Sequence, residues 1–157
     1  MTAPADPGTL VDTNVLIDVI GGDRDWGAWS ADALADAADR GEIAINPIIY
    51  AELAAGFARI EDLDNAVPSE IYRRIDLPWP AGFLASRAFI LHSRRPDRGR
   101  PAPLPDFLIG AHAAVAGMRL LTRDPRPYRA HFPSVELICP DQNVSAGGPL
   151  PLRTHGN

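Results

Sequence analysis

The 157 residues carry fifteen basic groups, all of them arginine, against twenty acids, with a formal net charge of −5 and 46% hydrophobic content. A chain of this length is expected to form one ordinary domain that withdraws roughly 70% of its extended surface from water. No apolar run approaches the ~20 residues of a membrane span. Met1 to Pro7 show neither a basic nor an apolar leader region, so a cytoplasmic chain with no membrane partner is expected. The lack of lysine removes Walker A phosphate loops, pyridoxal Schiff bases and Lys nucleophiles. A single cysteine, Cys139, excludes an internal disulfide, and four histidines at least nineteen residues apart leave no paired-His metal spacing.

In chain order, Thr-Leu-Val-Asp at 9–12 is a short apolar run that ends at Asp12-Thr13-Asn14, the pattern of a buried strand leaving a sheet for a helix. That helix is expected from Val15, capped by Asn14 or Thr13. Residues 26–40 place Trp29, Ala33, Leu34, Ala37 and Ala38 at helical spacing, with Gly41 as the stop. Ile43 and Ile45 mark a second strand over 42–46. Pro47 opens a helix in which Ile48, Ile49, Leu53, Phe57 and Ile60 form one stripe. A helical stretch over 62–74 leads to a strand at 75–77, and 82–94 has helical periodicity in Phe83, Leu84, Ala88 and Leu91. Residues 96–105 hold four prolines and Gly99, interleaved with arginines, and are expected as an extended loop. Asp106 opens a helix that ends at Gly117, a strand follows at 118–122, Arg123-Asp124-Pro125 turns away, and a last strand lies at 135–138. One domain over 8–139 is expected, followed by a mobile tail rich in Gly, Pro and Ser over 140–157. Alternating strands and helices imply an α/β sandwich with a mainly parallel sheet.

Four carboxylates sit where charge is costly. Glu52 follows Ile48 by four residues and Ile49 by three, inside the apolar stripe, so it requires protonation, a metal, or an Arg partner such as Arg59 or Arg123. Asp12 ends a strand, where Asp is depleted, although a capping role also accounts for it. Asp106 starts a helix and Asp124 lies in a turn, both ordinary places for Asp. Asp18 and the acids from Asp23 to Asp39 read as solvated or capping residues without chemistry. Taken together, Asp12, Glu52, Asp106 and Asp124 can project into one crevice at the carboxyl ends of parallel strands. Their mutual repulsion is relieved by a hard divalent cation with oxygen ligands, Mg²⁺ or Mn²⁺, which suits phosphodiester hydrolysis. Charge distribution points the same way: between Arg87 and Arg129 nine arginines face three acids, while the rest of the chain carries six arginines and seventeen acids.

The series Val11-Asp12-Thr13-Asn14-Val15-Leu16-Ile17-Asp18, Ala51-Glu52-Leu53, Pro105-Asp106-Phe107-Leu108-Ile109-Gly110-Ala111-His112-Ala113 and Leu121-Thr122-Arg123-Asp124 resembles the motifs of PIN-domain ribonucleases, and more narrowly VapC-type toxins of bacterial toxin–antitoxin pairs. The resemblance runs from Leu10 to Ile138. It implies a three-layer α/β/α fold with strand order 3-2-1-4-5 and an acidic quartet of Asp12, Glu52, Asp106 and Asp124. It further implies Asp12 and Asp106 as direct metal ligands, Glu52 and Asp124 acting through water, and Thr13, Asn14 and Thr122 as supporting hydrogen-bond partners. In such enzymes water attacks RNA in line and leaves a 5′-phosphate and a 3′-hydroxyl. Arg94, Arg95, Arg98, Arg100, Arg123 and Arg126 would hold flanking phosphates. A cognate antitoxin and a toxin homodimer are the implied protein partners, for which apolar surface near Trp26, Trp29, Ile48 to Phe57 or Trp79 is available. Two other readings stay open: a non-catalytic RNA- or protein-binding module, and a phosphatase with Asp12 as nucleophile. The second of these lacks its usual acid at position 14 and its usual lysine.

Overall fold

Leu10 and Val11 are fully buried because β1 (Thr9–Val11) is the centre of a five-stranded sheet, with neighbours on both sides. The computed structural model describes residues 3–95 and 104–140. Its remaining strands are β2 (Ile43–Ile45), β3 (Tyr72–Arg74), β4 (Arg119–Leu121) and β5 (Leu137–Ile138). All pairings are parallel, in the order β3-β2-β1-β4-β5. Parallel neighbours need crossovers, and these are supplied by helices α1 (Thr13–Gly21), α2 (Gly27–Arg40), α3 (Pro47–Ala54), α4 (Ile60–Ala66), α5 (Trp79–Ser93), α6 (Leu104–Ala116) and α7 (Arg126–His131). The result is the expected three-layer α/β/α sandwich. The chain leaves β1 toward β2 and β3, then returns to place β4 on the other side, so the switch of direction falls between β1 and β4. Val11 pairs with Leu121 in register, which brings Asp12 and Thr122 side by side at the carboxyl edge.

Local chemistry explains most element boundaries. Asp12 has an extended backbone and its side chain accepts from Thr13 N, so the cap lies at Asp12 and α1 begins two residues before the expected Val15. Gly22, at φ 62°, closes α1 in the left-handed conformation. Asn46 caps α3 by accepting from Ile49 N, with Pro47 in the first turn. The stripe expected to run through Phe57 and Ile60 stops at Ala54; Ile60 opens α4 and is exposed. Pro68 prevents one helix from spanning 62–74, and Tyr72 N donates to the Pro68 carbonyl. The third strand is therefore Tyr72–Arg74, three residues earlier than 75–77.

Two further expectations are corrected. Ala81, Ala85 and Ala88 form the buried face of α5, small enough to let it pack closely on α6, while Phe83 and Leu91 face solvent. Asp18 is neither solvated nor a cap. It is 1% exposed and receives Arg123 Nε at 2.7 Å, Arg123 Nη2 at 3.0 Å and Ser30 Oγ at 2.8 Å. The Arg123 guanidinium also lies 5.7 Å from the Trp26 ring, so this cluster bolts the loop after β4 to α1 and α2. Removing one partner of a buried ion pair strands the other. Arg123→Ala is expected to lower unfolding free energy by roughly 3 kcal/mol in urea titrations, whereas Arg73→Ala, at the exposed pair with Glu42, should leave the midpoint near the wild-type value.

Candidate active site

Asp12 is the most enclosed acid at the carboxyl edge of the sheet, 5% exposed. Its Oδ1 accepts from Thr13 N at 2.7 Å. Its Oδ2 accepts from Thr122 Oγ1 and Tyr128 OH, each at 2.8 Å, and from Asn14 Nδ2 at 3.3 Å. Asn14 also accepts from Arg123 N at 3.1 Å, fixing the loop that follows β4. Burial pushes the Asp12 pKa up, opposed by the bonds from Tyr128, Thr122 and Thr13.

Glu52 projects from α3, whose start is held by Asn46. The other end of the Asn46 amide lies 3.0 Å from His112 Nδ1 on α6, and burial lowers the His112 pKa, so a neutral ring accepts there. Glu52 is half-buried and accepts from Thr13 Oγ1 at 2.8 Å. Neither suggested arginine meets it: Arg59 pairs with Glu61 and Arg123 with Asp18. Burial raises the Glu52 pKa, with the Thr13 bond opposing and the Asp12 charge adding.

Asp106, in the first turn of α6, has no hydrogen-bond or ion-pair partner among the described residues. Burial first, then the charges of Asp12, Glu52 and Asp124, push its pKa up to about 7. Asp124 behaves in the opposite way. Arg126 Nε and Nη2 grip its two oxygens at 2.9 and 3.0 Å and hold its pKa below the usual range. The four acids thus come from four separate elements and share one field. Among the described residues, no three His, Cys, Asp or Glu side chains are gathered closely enough to cage a metal ion unaided. The donor set is all-oxygen and anionic, which fits a hard divalent cation that keeps part of its water.

The supporting residues Thr13, Asn14 and Thr122 all bond within this cluster. Of the arginines, Arg126 is at the mouth, Arg94 and Arg95 are exposed just past α5, and Arg123 is turned to Asp18. Arg98 and Arg100 lie outside the described residues, as does the tail from position 141. Sequence reasoning missed α7 and with it Tyr128. The available signal was Pro127 near a helix start, followed by aromatic residues at 128 and 132.

A parallel sheet in this order, with four acids near its switch point that feel one another's charge, defines an α/β/α domain with an acidic carboxyl edge. The family model for the PIN domain matches residues 9–133, and the chain belongs to that family. No curated protein matches it by sequence. Among solved structures it is similar to VapBC2 from Rickettsia felis bound to a promoter DNA fragment, with TM-score 0.66 and 21% identity over 85% of this chain and 98% of that one. It is also similar to VapBC-1 from nontypeable Haemophilus influenzae (TM-score 0.64, 18% identity, 83% and 96%) and to a toxin–antitoxin complex from Klebsiella pneumoniae (TM-score 0.59, 22% identity, 82% and 95%). Among the described residues no helix is long and apolar enough to cross a membrane.

The raised Asp106 pKa has a thermodynamic consequence. Between the ordinary value of 3.8 and about 7 the folded chain keeps a proton that the unfolded chain releases. Stability of the metal-free protein is therefore expected to fall as pH rises through that window and to level off above it. Urea titrations in chelator across this range should show the slope, and Asp106→Asn should flatten it and stabilise the protein at pH 8.

Proposed function

We propose that this chain is a Mg²⁺- or Mn²⁺-dependent endoribonuclease, the toxin of a toxin–antitoxin pair, restrained by a cognate antitoxin. The observation that carries the reading is Asp106: a carboxylate without a hydrogen-bond or ion-pair partner among the described residues, its pKa pushed up to about 7 by burial and then by the charges of Asp12, Glu52 and Asp124. Proteins leave an acid in that condition where a cation or substrate is to replace the proton. The family membership and the toxin–antitoxin complexes among the structural relatives support the same reading.

Asp12 and Asp106 would hold the cation, which when bound supplies charge stabilisation to a phosphodiester and acidifies a water. Glu52, anchored by Thr13, is placed to orient the attacking water and accept its proton. Attack at phosphorus breaks the bond to the 3′-oxygen, which leaves with a proton from solvent, giving 3′-hydroxyl and 5′-phosphate ends. Asp124 orients water through the charge that Arg126 moderates, and Arg126 with Arg94 and Arg95 suits the RNA backbone. The phosphatase reading is weaker, since Asp12 is enclosed by donors and Asn14 stands where a second acid is needed. An antitoxin or a second copy of the chain is accommodated by α5, where Trp79 is 95% exposed with Phe83 and Leu91 on the same helix.

The test is RNA cleavage by the purified chain freed of any antitoxin. Activity is expected with Mg²⁺ or Mn²⁺, to be lost in chelator, and to fall at least a hundredfold in Asp12→Asn while circular dichroism stays native. Undiminished cleavage by that variant would overturn the assignment.

A further inference from the structure

Asp12 receives four donors, and they are unevenly divided. Three of them, from Thr122, Tyr128 and Asn14, converge on Oδ2, and Oδ1 takes only the Thr13 amide. A carboxylate oxygen has about two acceptor positions, so Oδ2 is filled and the spare capacity of the group lies on Oδ1. Thr122 and Asn14 are local to the two strand ends. Tyr128 reaches the same oxygen from α7, 116 residues away in sequence.

Its approach is built. Tyr128 is 1% exposed and is the largest fully buried side chain among the described residues. It packs where α7 meets α6, at Gly110, one helical turn after Asp106. A methyl group at Gly110 would collide with the Phe132 ring and come within 3.0 Å of Tyr128 Cδ1. The missing side chain on α6 therefore makes room for the Phe132 ring, with Tyr128 packed beside it. The same helix carries Asp106, so one packing contact sets the phenol and the second proposed metal ligand relative to each other.

We infer that Tyr128 is a positioning residue for the cation: by occupying Asp12 Oδ2 from α7, it fixes the carboxylate so that Oδ1 is the oxygen presented to Mg²⁺ or Mn²⁺. This rests on the metal-dependent reading above. Without the phenol, Oδ2 keeps Thr122 and the longer Asn14 bond, so Asp12 is held less firmly in the orientation that presents Oδ1 to a cation. Loss of such an outer hydrogen bond commonly costs ten- to a hundredfold in metal affinity or activity.

The experiment is calorimetric titration of the purified chain with MnCl₂, paired with RNA cleavage measured against Mn²⁺ concentration. Tyr128→Phe is expected to weaken Mn²⁺ binding about tenfold and to raise the half-activating Mn²⁺ concentration in parallel, with the maximal rate largely recovered at saturation. A tyrosine serving only as packing would leave the half-activating concentration unmoved, because phenylalanine fills the same space. Tyr50→Phe removes a similar phenol-to-carboxylate bond, to Asp64 at 2.7 Å, outside the cluster, and should match wild type. Equal Mn²⁺ affinity in wild type and Tyr128→Phe overturns this inference alone. Failure of the wild-type chain to bind Mn²⁺ at all overturns it together with the metal-dependent reading.

Discussion

Burying a carboxylate costs several kcal/mol unless hydrogen bonds replace the water it loses, and the centre of this molecule is organised around meeting that cost at Asp12. The donors come from the first turn of α1, from the residue after β4 and from α7. Each hydrogen bond to a charged group returns roughly 1.5–3 kcal/mol, so the acid and the elements that surround it are mutually dependent. The central strand pair, the loop beyond β4 and the short last helix hold their relative positions partly because one carboxylate requires all of them. Asp18, with Arg123 and Ser30, repeats the arrangement nearly two turns further along α1 and secures the same loop.

The remaining acids show how burial and neighbouring charge, and not residue type, set behaviour. Asp106 and Asp124 feel each other's charge. Among the described residues the first has no ion-pair partner, and its pKa is pushed up to about 7; the second is gripped by Arg126, which holds its pKa below the usual range. The two aspartates thus have opposite protonation tendencies within one site. Glu52 lies between these extremes, its burial offset by Thr13.

Much of this was legible in the sequence because the signals were local. Pro47 after Asn46 announces a helix start, and an apolar triplet ending at Asp12 announces a buried strand leaving the sheet. What escaped was whatever depended on partners distant in the chain. Asp18 looks solvated until Arg123, 105 residues later, is folded against it. Tyr128 looks like an incidental aromatic residue in a proline-rich stretch until its hydroxyl meets Asp12, 116 residues away. Pro68 could have moved the third strand to its true place, since a single helix over 62–74 would have had to pass through it. On α5 the periodicity of large residues suggested one buried face, whereas close packing on α6 selected the alanines and left Phe83 and Leu91 outside.

The grip of Arg126 on Asp124 also bears on ionic strength. A guanidinium that moves onto a nucleic-acid phosphate must first give up its intramolecular partner, and added salt weakens both attachments together. Displacement of condensed counterions from the polynucleotide is then partly cancelled by the anion left behind on the protein. For the proposed RNA complex, the logarithmic salt dependence of association should accordingly be shallower than a tally of nearby arginines implies, a chain rich in guanidinium groups behaving as though it carried fewer of them.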